Sequence, residues 1–409
     1  MRVALYYPWI HLTSGAERLI LELTARSRHD WTLFTNHYDP EHTFPGFRER
    51  RVVELPRVPV DRRLGAVVRA GWRILAQRLP TEYHDALLVV CEGLGDLAVF
   101  RNGRRPVLCC CLTPLRMAFD PAYQARVLER SGLAGRLALR AAAALFRRID
   151  RRSWRRYRHV FFISREAERR AVAGGLRPSG GTEVLHPGAG ISAARPGEAF
   201  EPFFLVAGRI MWTKNVELGI LAFQHFQALR PALGRFRLVI AGTVDDKSRP
   251  YLIRLRALAE NDPRIEFRPS PTDAALAELY ATCYGLLFTP FNEDWGMVPL
   301  EAMAFGKPVI AVNCGGPLES IQDGVQGFLA PAEPGVFAER MARLADDPAE
   351  AARMGRAGVE RARAFSWEAF AARIDDMIET VAASPALGER GWRQDSAVGG
   401  PGRAPAAPR

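Results

Sequence analysis

The sequence predicts an α/β protein made of two doubly wound domains facing a cleft, and three observations predict it. At 409 residues the chain exceeds what one hydrophobic core organises, so two domains are expected. Short apolar runs of strand length alternate along it with stretches whose apolar residues recur three and four positions apart. The run from 285 to 329, GLLFTPFNEDWGMVPLEAMAFGKPVIAVNCGGPLESIQDGVQGFL, then reads as strand, polar loop, short helix, second strand and glycine-rich helix start. Parallel strands need such crossovers.

In the first half, Val3 to Tyr7 reads as a strand, and Pro8 to Ser14 leads into Gly15, after which Leu19, Ile20, Leu23 and Thr24 begin a helical stripe. Strands follow at Trp31–Thr35, Val52–Leu55, Ala86–Cys91 and Val107–Leu112, with a helix at Val67–Leu79 and Thr113-Pro114-Leu115-Arg116 closing the last strand. Gly132 to Arg158 is helical in pattern, its apolar stripe set by Leu137, Ala141, Ala144, Leu145 and Ile149. Val160–Ile163 is a strand, Ser164 caps a helix at Arg165–Val172, and Glu183–His186 is the last strand before a polar linker. Residues 1–195 form the first domain.

The second domain, 196–366, starts with the strand Phe203–Ala207 and delivers Gly208-Arg209 to a loop, with Lys214-Asn215 shortly before a helix. Strands at Arg237–Ala241 and Ile265–Phe267 precede the 285–329 run, where Gly285–Thr289 and Pro308–Val312 are strands joined through a helix at Pro299–Phe305. Helices close the domain at Val336–Leu344 and Met354–Ala364. A terminal helix, 367–384, follows, and residues 385–409, rich in Pro, Gly and Ala, are expected to be disordered.

Composition narrows the function. No stretch reaches eighteen uninterrupted apolar residues, so no spanning helix is expected. Pro8 interrupts the apolar N-terminus, which reads as a strand, and a cytoplasmic location is expected. The six cysteines lack zinc-ligand spacing, and three stand in a row at 109–111, which suits buried residues on parallel strands. The net charge of +11 is local: residues 101–170 hold 18 arginines against 5 acids. The basic helix over 136–158 is either a solvated face or a surface for an anionic membrane. No stacking or groove-reading motif accompanies it, so nucleic acid is not an expected partner.

The candidate site follows from placement. Ligands of open parallel sheets bind beyond the carboxyl ends of the strands. Glu293 leaves one strand and Glu301 sits in the next helix, so both carboxylates can face one crevice and accept hydrogen bonds from sugar or ribose hydroxyls. Arg209 and Lys214, near a helix start, suit a diphosphate, and Lys214 is one of only three lysines. Asp245-Asp246 reads as a solvated loop, and no metal or other cofactor is expected.

Glu293, Asp294, Trp295, Gly296, Glu301, Ala302, Met303, Gly306, Pro308 and Val309, followed by Gly315, Gly316 and Glu319, resemble the donor-site signature of glycosyltransferase family 4. The resemblance implies the GT-B fold and a retaining enzyme that uses a nucleotide sugar. The runs TPFNEDWGMVPLEAM and AVNCGGPLES look closest to mannosyltransferases that extend lipid-linked oligosaccharides with GDP-mannose. It implies that Gly208, Arg209, Lys214, Arg268, Glu293, Trp295, Gly296, Met297, Val298 and Glu301 bind the donor, with Arg209, Lys214 and Glu293 catalytic and Arg268 near the nucleobase. His11, Ser14, Gly15, Leu112 and Arg116 fall on the acceptor side, and the terminal helix is expected to pack back across the first domain. The resemblance implies an acceptor that is a saccharide or a lipid-linked saccharide, and the basic helix over 136–158 allows peripheral attachment at the inner face of the membrane.

One position departs from the pattern. Related enzymes carry a histidine near the donor sugar where this chain has Leu112, which offers no hydrogen bond. The site then contacts the sugar differently, or uses His11, or is less active. Three function classes are weighed: a retaining hexosyltransferase, a non-catalytic nucleotide-sugar-binding or scaffold protein, and a basic nucleic-acid binder. The presence of Arg209, Lys214, Glu293 and Glu301 together favours the first.

Overall fold

The structure, a computed structural model, describes residues 1–59, 63–129, 131–189 and 199–383. In the first domain the apolar runs form seven parallel strands: β1 (Arg2–Tyr6), β2 (Asp30–Thr35), β3 (Val52–Glu54), β4 (Ala86–Cys91), β5 (Val107–Cys111), β6 (His159–Phe162) and β7 (Gly181–Val184). They lie in the order β3-β2-β1-β4-β5-β6-β7. Six strands build the second sheet: β8 (Phe203–Ala207), β9 (Arg237–Gly242), β10 (Ile265–Pro269), β11 (Gly285–Phe288), β12 (Val309–Val312) and β13 (Gly327–Ala330), ordered β10-β9-β8-β11-β12-β13. Strands β4, β5, β6, β11 and β12 are buried along their whole length, as a parallel sheet covered on both faces requires. The five cysteines on or beside strands, Cys91, Cys109, Cys110, Cys111 and Cys283, are free and buried.

Strand β13 was not expected, because the sequence there reads as the continuation of a helix start. Gly327 explains it. Its φ is +155° and a Cβ would stand 1.9 Å from the Val309 carbonyl oxygen, so only glycine lets this segment pair with β12.

The helices that matter for the site are α1 (Gly15–Arg26), α2 (Leu64–Ala76), α3 (Leu133–Trp154), α4 (Arg165–Ala173), α5 (Val216–Leu229), α6 (Met297–Ala304), α7 (Pro317–Ser320) and α8 (Trp367–Ala383). Helix α8 packs on α1: the Asp375 carboxylate accepts hydrogen bonds from Ser27 Oγ (2.6 Å) and the Arg28 amide (2.9 Å), while Arg28 pairs with Asp376 and Glu379. The expected domain boundary and the tail at 385–409 fall outside the described residues.

Helix α3 corrects the expected stripe. Leu137 and Leu145 are each 60% exposed, and the inward face carries Ala143, Asp150, Ser153 and Trp154, with Ile149 of the expected stripe half-buried against the core. An alanine-rich stretch holds too little hydrophobic contrast to set the phase of a helix. The basic face is also partly engaged. Arg136 caps the Leu128 and Ser131 carbonyls, Arg147 the Ala118 carbonyl and Arg151 the Gly174 carbonyl, whereas Arg140, Arg148 and Arg152 are exposed.

Candidate active site

Strand order reverses between β8 and β11 in the second sheet and between β1 and β4 in the first, and a cleft of about 1570 Å³ opens between these two switch points. Beyond β8 the loop carries Gly208 and Arg209, then Lys214 two residues ahead of α5; beyond β11 it carries Glu293. Lys214 Nζ and Glu293 Oε1 are 2.7 Å apart. The Lys214 backbone is fixed as well, since its carbonyl accepts from Thr289 Oγ1 at 2.9 Å and the neighbouring Thr213 carbonyl accepts from the Phe291 amide at 3.0 Å. Burial pushes the Glu293 carboxyl up, but Lys214, with Arg116 and Arg209, more than reverses this and holds it below the usual carboxylate range.

Helix α6 starts at Met297, four residues after Glu293, so Gly296, Met297 and Val298 bring orphan amides to the cleft wall. A Cβ on Gly15 would lie 3.0 Å from Met297 Cε. The N-termini of α1 and α6 therefore meet across the cleft, one from each domain, and both helix dipoles favour an anion between them. Glu301 takes a 2.7 Å hydrogen bond from Tyr280 Oη, and burial raises its pKa. The donor loop is held from behind by Gly315-Gly316. The Gly316 amide donates to the Glu293 carbonyl at 2.8 Å, and a Cβ on Gly316 would stand 2.0 Å from the Trp295 carbonyl oxygen.

On the first-domain side, His11, Ser14, Gly15, Leu112 and Arg116 all line the cleft. Burial, reinforced by His37, lowers the His11 pKa to about 4, so its imidazole is neutral near pH 7, and its Nδ1 is buried without a partner among the described residues. The Ser14 hydroxyl donates to Glu17, whose carboxylate also accepts from the Leu12 amide at 3.2 Å. Glu17 thus fixes the loop after β1 by accepting from both Ser14 and Leu12; the Ser14-x-x-Glu17 spacing is that of a capping box, but the Ser14 side chain takes no helix amide. Arg116 pairs with Asp120 at 2.8 Å and reaches the Phe291 carbonyl of the second domain at 3.4 Å.

Two residues sit elsewhere than expected or do other work. Arg268, expected near the nucleobase, is exposed on β10, pairs with Glu266 at 2.8 Å and is not in the cleft wall. An edge strand two positions from the switch point carries its side chains away from the crevice. Trp295 is only 3% exposed, stacks on His186 with centroids 4.4 Å apart and meets Phe365 edge-on, so most of its ring is spent on packing. Asp245 accepts from the Ser248 amide at 2.8 Å and Asp246 pairs with Arg249. Among the described residues, one group has metal-ligand chemistry, Cys91, Asp96 and Cys109, and it is buried with Asp96 accepting from Tyr157, Trp154 and the Cys91 thiol.

Sequence reasoning missed Arg170. Its guanidinium, on α4 and 2% exposed, pairs with Asp294 in the donor loop, Glu166 at 3.1 Å and Asp120 at 3.5 Å, and donates to Thr113 Oγ1 at 2.6 Å. Asn292 Nδ2 joins the same Glu166 at 3.0 Å, and Glu319 of α7 accepts from the Arg165 amide and from His186 Nε2. Polar contacts thus run without a break from the first domain into the donor loop.

The cleft continues past the acceptor side into an apolar groove between α2 and α3, walled by Val68, Trp72, Leu75, Leu139, Leu145 and Phe146. Trp72 at its rim is 69% exposed. Among the described residues no helix is long and apolar enough to cross a membrane.

Residues 194–361 match the family model described as glycosyl transferases group 1. The chain is 29% identical over 394 residues to the alpha-1,3/1,6-mannosyltransferase ALG2 of Mus musculus, a match covering 88% of this chain and 92% of that protein. It is 34% identical over 224 residues to a D-inositol 3-phosphate glycosyltransferase of Streptomyces avermitilis, covering 52% of this chain and 47% of that one. Among solved structures, the sucrose-phosphate synthase of Thermosynechococcus elongatus superposes with a TM-score of 0.71 at 22% identity, covering 94% of this chain and 100% of that one, which bears on the fold alone. The second domain matches the glycosyl transferases group 1 model over most of its length, and the chain is a glycosyltransferase of the GT-B fold.

Proposed function

We propose that this enzyme, as a member of glycosyltransferase family 4, transfers mannose from GDP-mannose to a saccharide on a lipid carrier, with retention of the anomeric configuration. The observation that carries the reading is the Lys214–Glu293 pair at the switch point of the second sheet, with Arg209 beside it and two helix N-termini converging on the same space. Cations and amide dipoles aimed at one point suit a diphosphate, and carboxylates beside them suit hydroxyls. Mannose is favoured by the likeness to a mannosyltransferase over nearly the whole chain.

In this mechanism Arg209 and Lys214 hold the diphosphate and stabilise the charge that grows on it as the bond to the anomeric carbon breaks. Glu293 orients the hexose hydroxyls and Glu301 the ribose. The acceptor oxygen bonds to the anomeric carbon on the face the diphosphate leaves, and its proton passes to the departing phosphate oxygen. His11, held near a pKa of about 4, is a poor base at neutral pH and fits a hydrogen-bonding role. Leu112 adds an apolar surface at the sugar.

The test is transfer from GDP-mannose to an alkyl mannoside, with the product's anomeric configuration read by NMR. An α-linked product is expected, and an inverted centre would overturn the retaining mechanism. The α2–α3 groove supports the lipid carrier, and the exposed Leu137 and Leu145 beside Arg140 and Arg148 support attachment to an anionic membrane. Trp72→Ser is expected to remove most of the preference for octyl mannoside over methyl mannoside, roughly five- to tenfold, while leaving the methyl mannoside rate unchanged. An unchanged preference would place the chain outside the groove.

A further inference from the structure

Each sheet sends a carboxylate into the cleft from the strand just past its switch point. In the second sheet that strand is β11 and the residue Glu293; in the first it is β4, and the residue that follows it is Glu92. Glu92 is exposed and lines the cleft. The register pairs Cys91 with Cys111, so Glu92 and Leu112 lie side by side on adjacent strand ends, about 4.8 Å apart in the sheet direction. The Leu112 amide donates to the Cys91 carbonyl at 2.9 Å, which locks that register at its last residue. The position where related enzymes carry a histidine is therefore apolar, and its immediate neighbour on β4 is an acid.

Tyr7, at the end of β1, closes the arrangement from the other side of the switch point. It is 5% exposed, and the charges of Glu92 and, from the second domain, Arg209 both act on its hydroxyl. The first-domain acid and the diphosphate-side cation thus flank one tyrosine. A carboxylate has about four lone-pair directions, so Glu92 can accept from a sugar hydroxyl alongside its protein partners.

We propose that Glu92 is the acceptor-binding carboxylate of this enzyme, taking a hydrogen bond from the attacking sugar hydroxyl at the end of β4, beside the apolar Leu112. It orients the oxygen, and the proton still leaves with the diphosphate. This rests on the glycosyl-transfer reading above and is independent of which sugar is moved.

The experiment compares Glu92→Gln and Glu92→Ala with the wild type, using octyl mannoside as acceptor and following transfer, donor hydrolysis and GDP binding. The expected result is a fall of about ten- to a hundredfold in kcat/KM for the acceptor, carried mostly by KM, with GDP affinity and donor hydrolysis within twofold of wild type. Transfer within twofold of wild type in both variants would overturn the proposal. An equal loss of GDP affinity would overturn it too, by moving Glu92 to the donor side. A wild type that hydrolyses a different nucleotide sugar sinks the mannose reading alone, and the Glu92 comparison is then read with that donor.

Discussion

Lys214→Ala is expected to lower kcat/KM for transfer by about 10²- to 10³-fold, the size of effect seen when one group aimed at developing charge is removed. Two losses combine in it. The ammonium no longer meets the diphosphate as its charge grows, and Glu293, which sits 2.7 Å away, loses the cation that holds it ionised. The second loss has its own signature. In the wild type the Glu293 pKa is depressed, so its ionised form persists as pH falls until the depressed value is passed, and its contribution to stability is present above the ordinary carboxylate range. Without Lys214, burial dominates and the acid limb of the pH–rate profile moves to higher pH. Lys214→Arg is expected to restore little, because a planar fork does not replace a compact point charge. The fold tolerates the change, since the lysine side chain is 22% exposed and lies outside both cores. A double-mutant cycle with Glu293→Gln measures the pair: strongly non-additive losses are expected, and additive ones would separate the two residues. A Lys214→Ala rate within threefold of wild type would remove Lys214 from the reaction.

The donor side of this site was legible in the sequence because its residues lie close together in the chain: Glu293, Gly296 and Glu301 fall within one strand-loop-helix unit, and strand alternation positions that unit directly. Arg209 and Lys214 were legible for a related reason, as they precede a helix after an apolar strand. What stayed hidden depended on register and on long-range pairing. Glu92 becomes notable only when β4 is known to lie beside both β1 and β5. Arg268 was misplaced because being near the end of a strand does not say how far that strand lies from the switch point, and β10 is at the sheet edge. The face of α3 is not legible in the sequence because alanines fit either side of a helix, and Leu137 and Leu145, on the expected inward stripe, are each 60% exposed. Strand β13 turned on one glycine whose need appears only against the Val309 carbonyl.

Arg170 was hidden most completely, being one of 18 arginines in the basic segment, and its loss is expected to be the most damaging to stability. Arg170→Met keeps the length of the side chain and removes its charge. Asp120, Glu166 and Asp294 then remain around a site that is 2% exposed with Arg116 and Arg169 as their nearest cations. Removing one partner of a buried ionic cluster costs about 3–5 kcal/mol, because the charges left behind have no water to turn to. For a two-domain chain of this size that is a fall in Tm of roughly 5 °C. The effect is not confined to one domain. Arg170 joins Thr113, at the end of β5, to Asp294, next to Glu293, so the variant also frees the donor loop from the acceptor wall, and GDP affinity is expected to fall with Tm. Adding Asp294→Asn tests this directly. If the cost comes from a stranded carboxylate, the double variant regains part of the lost stability, whereas its GDP affinity stays low because the tie across the cleft is still broken. A single variant that melts within about 2 °C of wild type would mean that water reaches these acids and that the two domains are held by the apolar contacts alone.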